Sequence, residues 1–134
     1  MSQVKPIKEV IKEQYIRCAK DPAFFLKTFC MIQHPIKGKI PFDLYEFQEK
    51  TIQEFEDNRM NIILKARQLG ISTLTAGYSL WMMTFHQDKN ILVIATKQDV
   101  AKNLVTKVRV MHHYLPSWLK TDSVEDNRSL NSIT

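Results

Sequence analysis

The sequence predicts an α/β fold in which helices cover a parallel sheet, and three observations support this prediction. The first half of the chain carries apolar residues at helical spacing. From Asn61 onward the pattern becomes a short apolar strand, a helix, a second apolar strand and another helix. Between the first strand and its helix lies the loop "KARQLGIST". Ligands of such folds gather at the carboxyl ends of the strands, so this loop is where a site is expected.

Composition and charge narrow the class of protein. The 134 residues amount to one modest domain, and a net charge of +5 permits an acidic partner such as nucleic acid without demanding one. No apolar run approaches the roughly 20 residues of a membrane span, and the N-terminus lacks the apolar core of a signal peptide. We expect a protein of the reducing cytoplasm, outside the membrane. Cys18 and Cys30 lack a second close-spaced pair, which favours buried structural cysteines over metal ligands.

Residues 1–40 are predicted to form a helical lead-in. The segment "PIKEVIKEQYIRCA" places apolar residues at helical spacing and predicts a first helix. Asp21 before Pro22 is a helix start, since an aspartate caps well and proline suits the first helical position. This second helix should run through "AFFLKTFCMI" and end before Pro35, which disfavours helical geometry in the residue before it. The following "HPIKGKIPF" is predicted to be a turn-rich connector.

Residues 41–134 are predicted to form the α/β core of the fold. A third helix opens at Asp43 or Leu44 and continues to about Phe55. Then "NIIL" reads as a strand, "STLTAGYSLWMMTF" as a largely apolar helix and "ILVIA" as a second buried strand. A further helix, "KQDVAKNLVTKVRVMHHYLP", extends to Pro116. The last segment, "DSVEDNRSLNSIT", reads as a polar loop, so the predicted sheet is incomplete within these residues.

The loop after the first strand can be aligned with the phosphate-binding pattern G-x-x-x-x-G-K-[ST]. Gly70 fits the second glycine and Ser72 the terminal serine, but Lys65 occupies the first glycine's place and Ile71 the place of the lysine. The flexible stem of Lys65 could reach the phosphates from the strand side of the loop. The positive charge is therefore predicted to come from the opposite end of the loop.

The remaining loop chemistry fits a phosphate site. Backbone amides from Gly70 to Thr73 would point at the phosphates from a helix N-terminus, and the Ser72 hydroxyl could hold Mg²⁺. Arg67 adds a second cation, and Gly70 serves where the backbone needs a positive φ or a close approach. The alternative is a plain strand-to-helix turn in which Ser72 caps the helix.

The segment "ILKARQLGIST" resembles the variant Walker A segment of the large terminase subunits of tailed phages, the ATP-driven motors that pump viral DNA into capsids. Arg67, Gln68 and Gly70 match the family's R-Q-x-G core. Ile71 departs from the commoner lysine, which leaves Lys65 as the replacement. The resemblance implies that the ATP-binding residues of this loop are Lys65, Ala66, Arg67, Gln68, Leu69, Gly70, Ile71, Ser72 and Thr73.

Two further segments carry the resemblance. "PFDLYEFQEKTIQEF" resembles the upstream adenine-recognition motif of terminases and related helicase-type ATPases. The Gln48 amide donates and accepts at once, which matches adenine's amine and the neighbouring ring nitrogen; the alternative for Gln48 is an exposed helix residue. Downstream, "ILVIATKQDVAKNLVTKVRVMHHYLPSWL" is similar to the family's second strand and helix.

The resemblance implies the N-terminal part of a RecA-like P-loop ATPase with ATP and Mg²⁺ as cofactors, in which Lys65 and Arg67 neutralise the triphosphate. It also implies double-stranded DNA, a portal protein and a small terminase subunit as partners, a homo-oligomer on the portal, and the host cytoplasm as compartment. In this family a later strand ends in Asp-Glu and a nuclease domain follows, and neither lies within these residues. We therefore expect weak ATP binding and little or no hydrolysis by this chain alone.

Two alternatives remain at this point. The chain could be a non-catalytic remnant or small module that binds DNA or a packaging partner through its basic surface, with Lys102, Thr106 and Arg109 on one helix face. It could also be a fragment of another helicase-like ATPase that uses the same core.

Overall fold

A computed structural model describes residues 4–66, 70–86 and 88–120 of the chain. In this part the protein is a mixed α/β structure with five α-helices, a short 3₁₀ helix and a two-stranded antiparallel sheet. In chain order the elements are α1 (Ile7–Lys20), α2 (Pro22–Phe29), β1 (Met31–His34), β2 (Gly38–Pro41), α3 (Glu46–Asp57), α4 (Ile71–Phe85), α5 (Gln98–His113) and the 3₁₀ helix Ser117–Leu119. The predicted loop residues 67–69 and the polar segment 121–134 lie outside the described residues.

The start of α2 follows the prediction, and its end corrects it. An oxygen of the Asp21 carboxylate accepts a hydrogen bond from the Phe24 N–H at 3.1 Å, and Pro22 is the first helical residue. The helix nevertheless ends at Phe29, because Cys30 is extended, with φ −85° and ψ 138°. The apolar residues after it were expected to be helical and instead begin a strand.

The predicted connector is a β-hairpin. Strand β1 pairs with β2 in antiparallel register from Met31 opposite Pro41 to His34 opposite Gly38. In the turn, the Nδ1 atom of His34 accepts hydrogen bonds from the N–H groups of Ile36 and Lys37 at 3.2 and 3.1 Å. A short apolar run fits a strand as well as a helix, and here the pairing partner decides for the strand.

Helix α4 lies at the centre of the core and packs against α2, α3 and α5. Its buried residues are Ile71, Leu74, Ala76, Gly77, Ser79, Leu80 and Trp81. The Trp81 indole N–H donates a buried hydrogen bond of 2.8 Å to the Cys18 carbonyl at the end of α1. At Gly77, an added Cβ would lie 2.5 Å from Cδ2 of Leu26, so glycine permits the close approach of α2. The apolar helix predicted here is confirmed.

The two cysteines are buried and free, as the sequence predicted. Burial raises the pKa of the Cys18 thiol to about 12, and burial together with the neighbouring Cys18 raises the pKa of Cys30. Within the described residues, no cluster of three or more His, Cys, Asp or Glu side chains could hold a metal ion. None of the described helices is both long and apolar enough to cross a membrane.

The two predicted strands of the parallel sheet do not form within the described residues. Residues 61–64 and 91–95 form no strand, and among the described residues only β1 and β2 pair. Ile62 and Leu64 are fully exposed, and Leu92 and Ile94 are 83% and 84% exposed. A strand requires a hydrogen-bonded neighbour, and the part of the chain described here supplies none for either segment. The helices that follow them, α4 and α5, form as predicted.

Candidate nucleotide-binding site

The candidate site lies where the N-terminus of α4 meets the N-terminus of α3. Gly70 is the N-cap residue of α4, with φ 71° and ψ 13°, and its carbonyl accepts a hydrogen bond from the Leu74 N–H at 2.9 Å. A Cβ added to Gly70 would lie 2.8 Å from Nε2 of Gln48. The positive φ predicted for this glycine is confirmed, and the absence of a Cβ also lets the Gln48 amide lie close to the backbone.

Gln48 is buried, so the alternative of an exposed helix residue is wrong. Its side chain is 3% exposed, and its Oε1 accepts a hydrogen bond from the Tyr45 N–H at 3.0 Å. In return, the Tyr45 carbonyl accepts a 3.0 Å hydrogen bond from the Gln48 N–H. This reciprocal pair fixes the first turn of α3 and holds the Gln48 amide beside Gly70. The residue therefore has a defined position from which to contact a ligand.

Gln48, Gly70 and Thr73 line one cavity of about 540 Å³. The hairpin, the segment before α3 and the first turn of α3 supply the rest of its wall, which includes His34, Phe42, Asp43, Tyr45 and Phe47. The rings of Tyr45 and Phe47 are stacked, with centroids 5.8 Å apart and planes 9° from parallel. Small-molecule sites in proteins typically have volumes of about 300 to 1,000 Å³ and combine apolar walls with a few polar groups. The cavity thus has the size and lining of a small-molecule site.

Three successive residues at the start of α4 face different surroundings. Ile71 is 8% exposed and belongs to the core, whereas Ser72 is exposed and Thr73 is half-buried in the cavity wall. The position at which the phosphate-binding pattern has lysine is therefore a packing position in this chain. The sequence had not singled out Thr73 above its neighbours.

The two cations predicted for the phosphate loop are Lys65 and Arg67, and Lys65 is not among the described residues that line this cavity. Lys65 and Ala66 are exposed in the irregular segment before the loop. Arg67, Gln68 and Leu69 lie outside the described residues. The structure accordingly brings Gln48, Gly70 and Thr73 together and leaves Lys65 on an exposed segment.

One cation near the site has no signal in the sequence. The Lys107 ammonium on α5 donates a 3.4 Å hydrogen bond to the Thr73 hydroxyl on α4. Thr73 and Lys107 also line a second cavity of about 380 Å³ between β1 and α5. Only the packing of α5 against α4 brings these residues together, so a local motif could not have identified Lys107.

A third cavity, of about 290 Å³, lies between the hairpin and the end of α5. Lys39, Arg109 and His113 line it, and the Lys39 ammonium lies 4.2 Å from the centroid of the Tyr114 ring. Of the basic helix face considered above, Arg109 belongs to this cavity, while Thr106 lines the second one.

No model of a known protein family matches the chain. The assignment of a function therefore depends on the residues and on the cavity that they form.

Proposed function

We propose that the chain is the ATP-binding part of a DNA-packaging motor of the terminase large-subunit type. One observation carries the proposal: Gln48 and Gly70 lie side by side at one cavity. They come from the segments that resemble the adenine motif and the phosphate loop, which are separate in the sequence. Their meeting at a cavity of about 540 Å³ is what a nucleotide site requires.

The residues present fit the adenosine end of ATP. The buried amide of Gln48 would hydrogen-bond adenine's amine and ring nitrogen. The stacked rings of Tyr45 and Phe47 offer a flat apolar surface for a base. Gly70 lets the Gln48 amide lie where an added Cβ would crowd it. The backbone amides that follow it at the N-terminus of α4 would bind phosphate oxygens.

The phosphate end depends on charge. Lys65 and Arg67 are proposed to neutralise the triphosphate. The Ser72 hydroxyl would hold Mg²⁺ together with phosphate oxygens, and the Asp43 carboxylate in the cavity wall is a second candidate ligand. When bound, Mg²⁺ would offset phosphate charge. In the proposed family the water-activating glutamate comes from a later strand, so we expect binding by this chain with little turnover.

The finer parts of the proposal concern the assembled motor. Residues 61–64 and 91–95 would pair as neighbouring parallel strands of a RecA-like sheet, which their apolar, exposed side chains support. Double-stranded DNA, a portal protein and a small terminase subunit would be the partners of a homo-oligomer in the host cytoplasm.

The test is titration of the chain with a fluorescent ATP analogue, with and without Mg²⁺. We expect saturable binding that ATP displaces better than GTP and that Gln48→Ala weakens. Gln53→Ala is the matched control, because Gln53 is an exposed glutamine on the same helix and bonds Asp57 instead. Absence of saturable binding, or equal effects of the two substitutions, would contradict the proposal.

A second candidate function is supported by the basic cavity of Lys39, Arg109 and His113. A lysine, an arginine and a histidine around one cavity can donate hydrogen bonds to a phosphodiester or another anionic partner. If binding of DNA is the main activity, Lys39→Ala should weaken salt-sensitive binding of a DNA duplex and leave ATP-analogue binding unchanged. The two candidates are therefore separable with one variant and two ligands.

A further inference from the structure

The start of α4 lacks the lysine that phosphate loops usually place there. Ile71 occupies that position and is buried in the core, with 8% of its surface exposed. A side chain in this position cannot turn toward a phosphate without leaving the core. A cation that serves this helix terminus must therefore come from another segment.

Helix α5 supplies such a cation. The Lys107 ammonium lies 3.4 Å from the Thr73 hydroxyl, in the first turn of α4. Thr73 also lines the cavity that holds Gln48 and Gly70. The same threonine borders the adjoining cavity of about 380 Å³ in which Lys107 lies. Thr73 is thus the shared wall between the proposed nucleotide cavity and the lysine.

We propose that Lys107 contacts the phosphates of the bound nucleotide and adds a cation to those of the loop, at the helix terminus where residue 71 supplies none. The inference rests on the proposed function and adds a residue to its site. An ammonium group has three donors, so Lys107 can keep its bond to Thr73 and donate to a phosphate oxygen as well. Lys107 lines the adjoining cavity, and its flexible four-carbon stem allows the ammonium to move toward the nucleotide cavity.

A purely structural role for Lys107 is the competing explanation. Lys107 is exposed, and its 3.4 Å bond to Thr73 is long for a hydrogen bond. Such a bond contributes little to folding, so removing it should leave the protein folded. A contact to phosphate predicts an effect that grows with the number of phosphates, whereas a structural role does not.

The experiment measures competition by ATP, ADP, AMP and adenosine against a fluorescent ATP analogue on the full 134-residue chain. For Lys107→Ala we expect ATP binding to weaken by about tenfold or more, as for other lost hydrogen bonds to charged groups, with adenosine binding unchanged. Lys107→Arg keeps the charge and should retain most of the ATP affinity. Lys12 is an exposed lysine on α1, and Lys12→Ala removes the same charge. This control variant should change neither ATP binding nor adenosine binding.

The outcomes separate this inference from the proposed function. If wild-type protein binds ATP and Lys107→Ala binds it equally well, the role of Lys107 is refuted and the proposed function stands. A Lys107→Ala variant that loses ATP and adenosine binding equally, or that melts well below wild type, also refutes the phosphate contact. If wild-type protein binds no adenine nucleotide, both are refuted.

Discussion

At the scale of single residues, two glycines share a backbone conformation and differ in their surroundings. Gly70 and Gly38 have φ values of +71° and +72°. A Cβ at Gly38 would meet nothing within 4 Å, whereas a Cβ at Gly70 would lie 2.8 Å from the Gln48 amide. Alanine substitutions at the two glycines therefore separate two effects on stability and binding. Both introduce a Cβ in left-handed backbone, but only the one at Gly70 crowds the candidate site.

Gly70→Ala is expected to lower stability and to abolish binding of the ATP analogue. The left-handed backbone costs roughly 1 to 2 kcal/mol for a residue with a Cβ, and the new methyl group displaces the Gln48 amide. Gly38→Ala should lose a similar amount of stability and keep nucleotide binding. Urea unfolding and analogue titration of both variants test this, and equal binding by the two variants would contradict the role of Gly70.

Lys65 is the residue whose role most needs a direct test. Under the proposed function, we expect Lys65→Ala to abolish ATPase activity of the proposed motor. Folding should be unaffected, because this side chain is exposed. Steady-state ATP hydrolysis and thermal melting would measure the two effects. Near-normal turnover by the variant would refute the displaced-lysine hypothesis and would leave Lys107 as the remaining candidate.

At the scale of elements, the packing of α2 on α4 depends on the glycine in the middle of α4. An added methyl at Gly77 would lie 2.5 Å from Leu26, which is completely buried. Alanine is better than glycine in a helix by about 1 kcal/mol, whereas overpacking a core costs about 1 to 3 kcal/mol. The crowding term is the larger of the two in this well-packed position.

Gly77→Ala should therefore destabilise the protein by about 1 kcal/mol in urea unfolding. In a Leu26→Ala background the same change should become stabilising, because the clashing methyl groups are gone and only the helix preference remains. A Gly77→Ala variant more stable than wild type would show that Leu26 moves aside without cost.

The buried thiol of Cys18, at the end of α1, should make the stability of the protein depend on alkaline pH. Burial raises the pKa of Cys18 from 9.0 to about 12. The pKa of Cys18 is higher in the folded state than in the unfolded state. The contribution of the buried thiol to the free energy of unfolding is therefore fully present below pH 9 and is lost as the pH rises toward 12. The free energy of unfolding should fall over this range, and less steeply in Cys18→Ala. An identical slope for the variant would exclude Cys18 as a cause.

Sequence patterns predicted the elements unevenly, for physical reasons. Helices α1, α4 and α5 follow from apolar periodicity, and Asp21 marks the start of α2. The hairpin was missed because its first strand continues an apolar run that looks helical until its partner is known. Residues 61–64 and 91–95 have strand character in sequence, but pairing is a property of neighbours and not of the segment.

The candidate site, like the fold, was predictable from the sequence only where a local motif marks a residue. Gln48 and Gly70 each stood out in a local motif, and the structure adds that they touch. The half-burial of Thr73 and its bond to Lys107 depend on how α5 packs on α4, which no local pattern contains. That residue 71 is isoleucine and not lysine was visible in the sequence, whereas its burial in the core was not.

At the scale of the whole molecule, two apolar segments lie on the outside. Ile62 and Leu64 in one segment and Leu92 and Ile94 in the other are more than four-fifths exposed. Exposed apolar stretches with strand character tend to pair with other chains. The proposed motor would cover both segments by pairing them within one sheet.

The isolated chain is therefore expected to be poorly soluble and to associate through these two segments. Leu64→Glu combined with Leu92→Glu should shift the protein toward monomer in sedimentation experiments and leave its melting unchanged, since neither side chain is buried. Val4→Glu combined with Ile36→Glu is the matched control, because these side chains are 94% and 91% exposed and lie outside both segments. An equal shift toward monomer for the control would mean that the change in net charge alone causes the effect. A wild-type chain that is monomeric and melts in one sharp transition would mean that the exposed segments do not drive association.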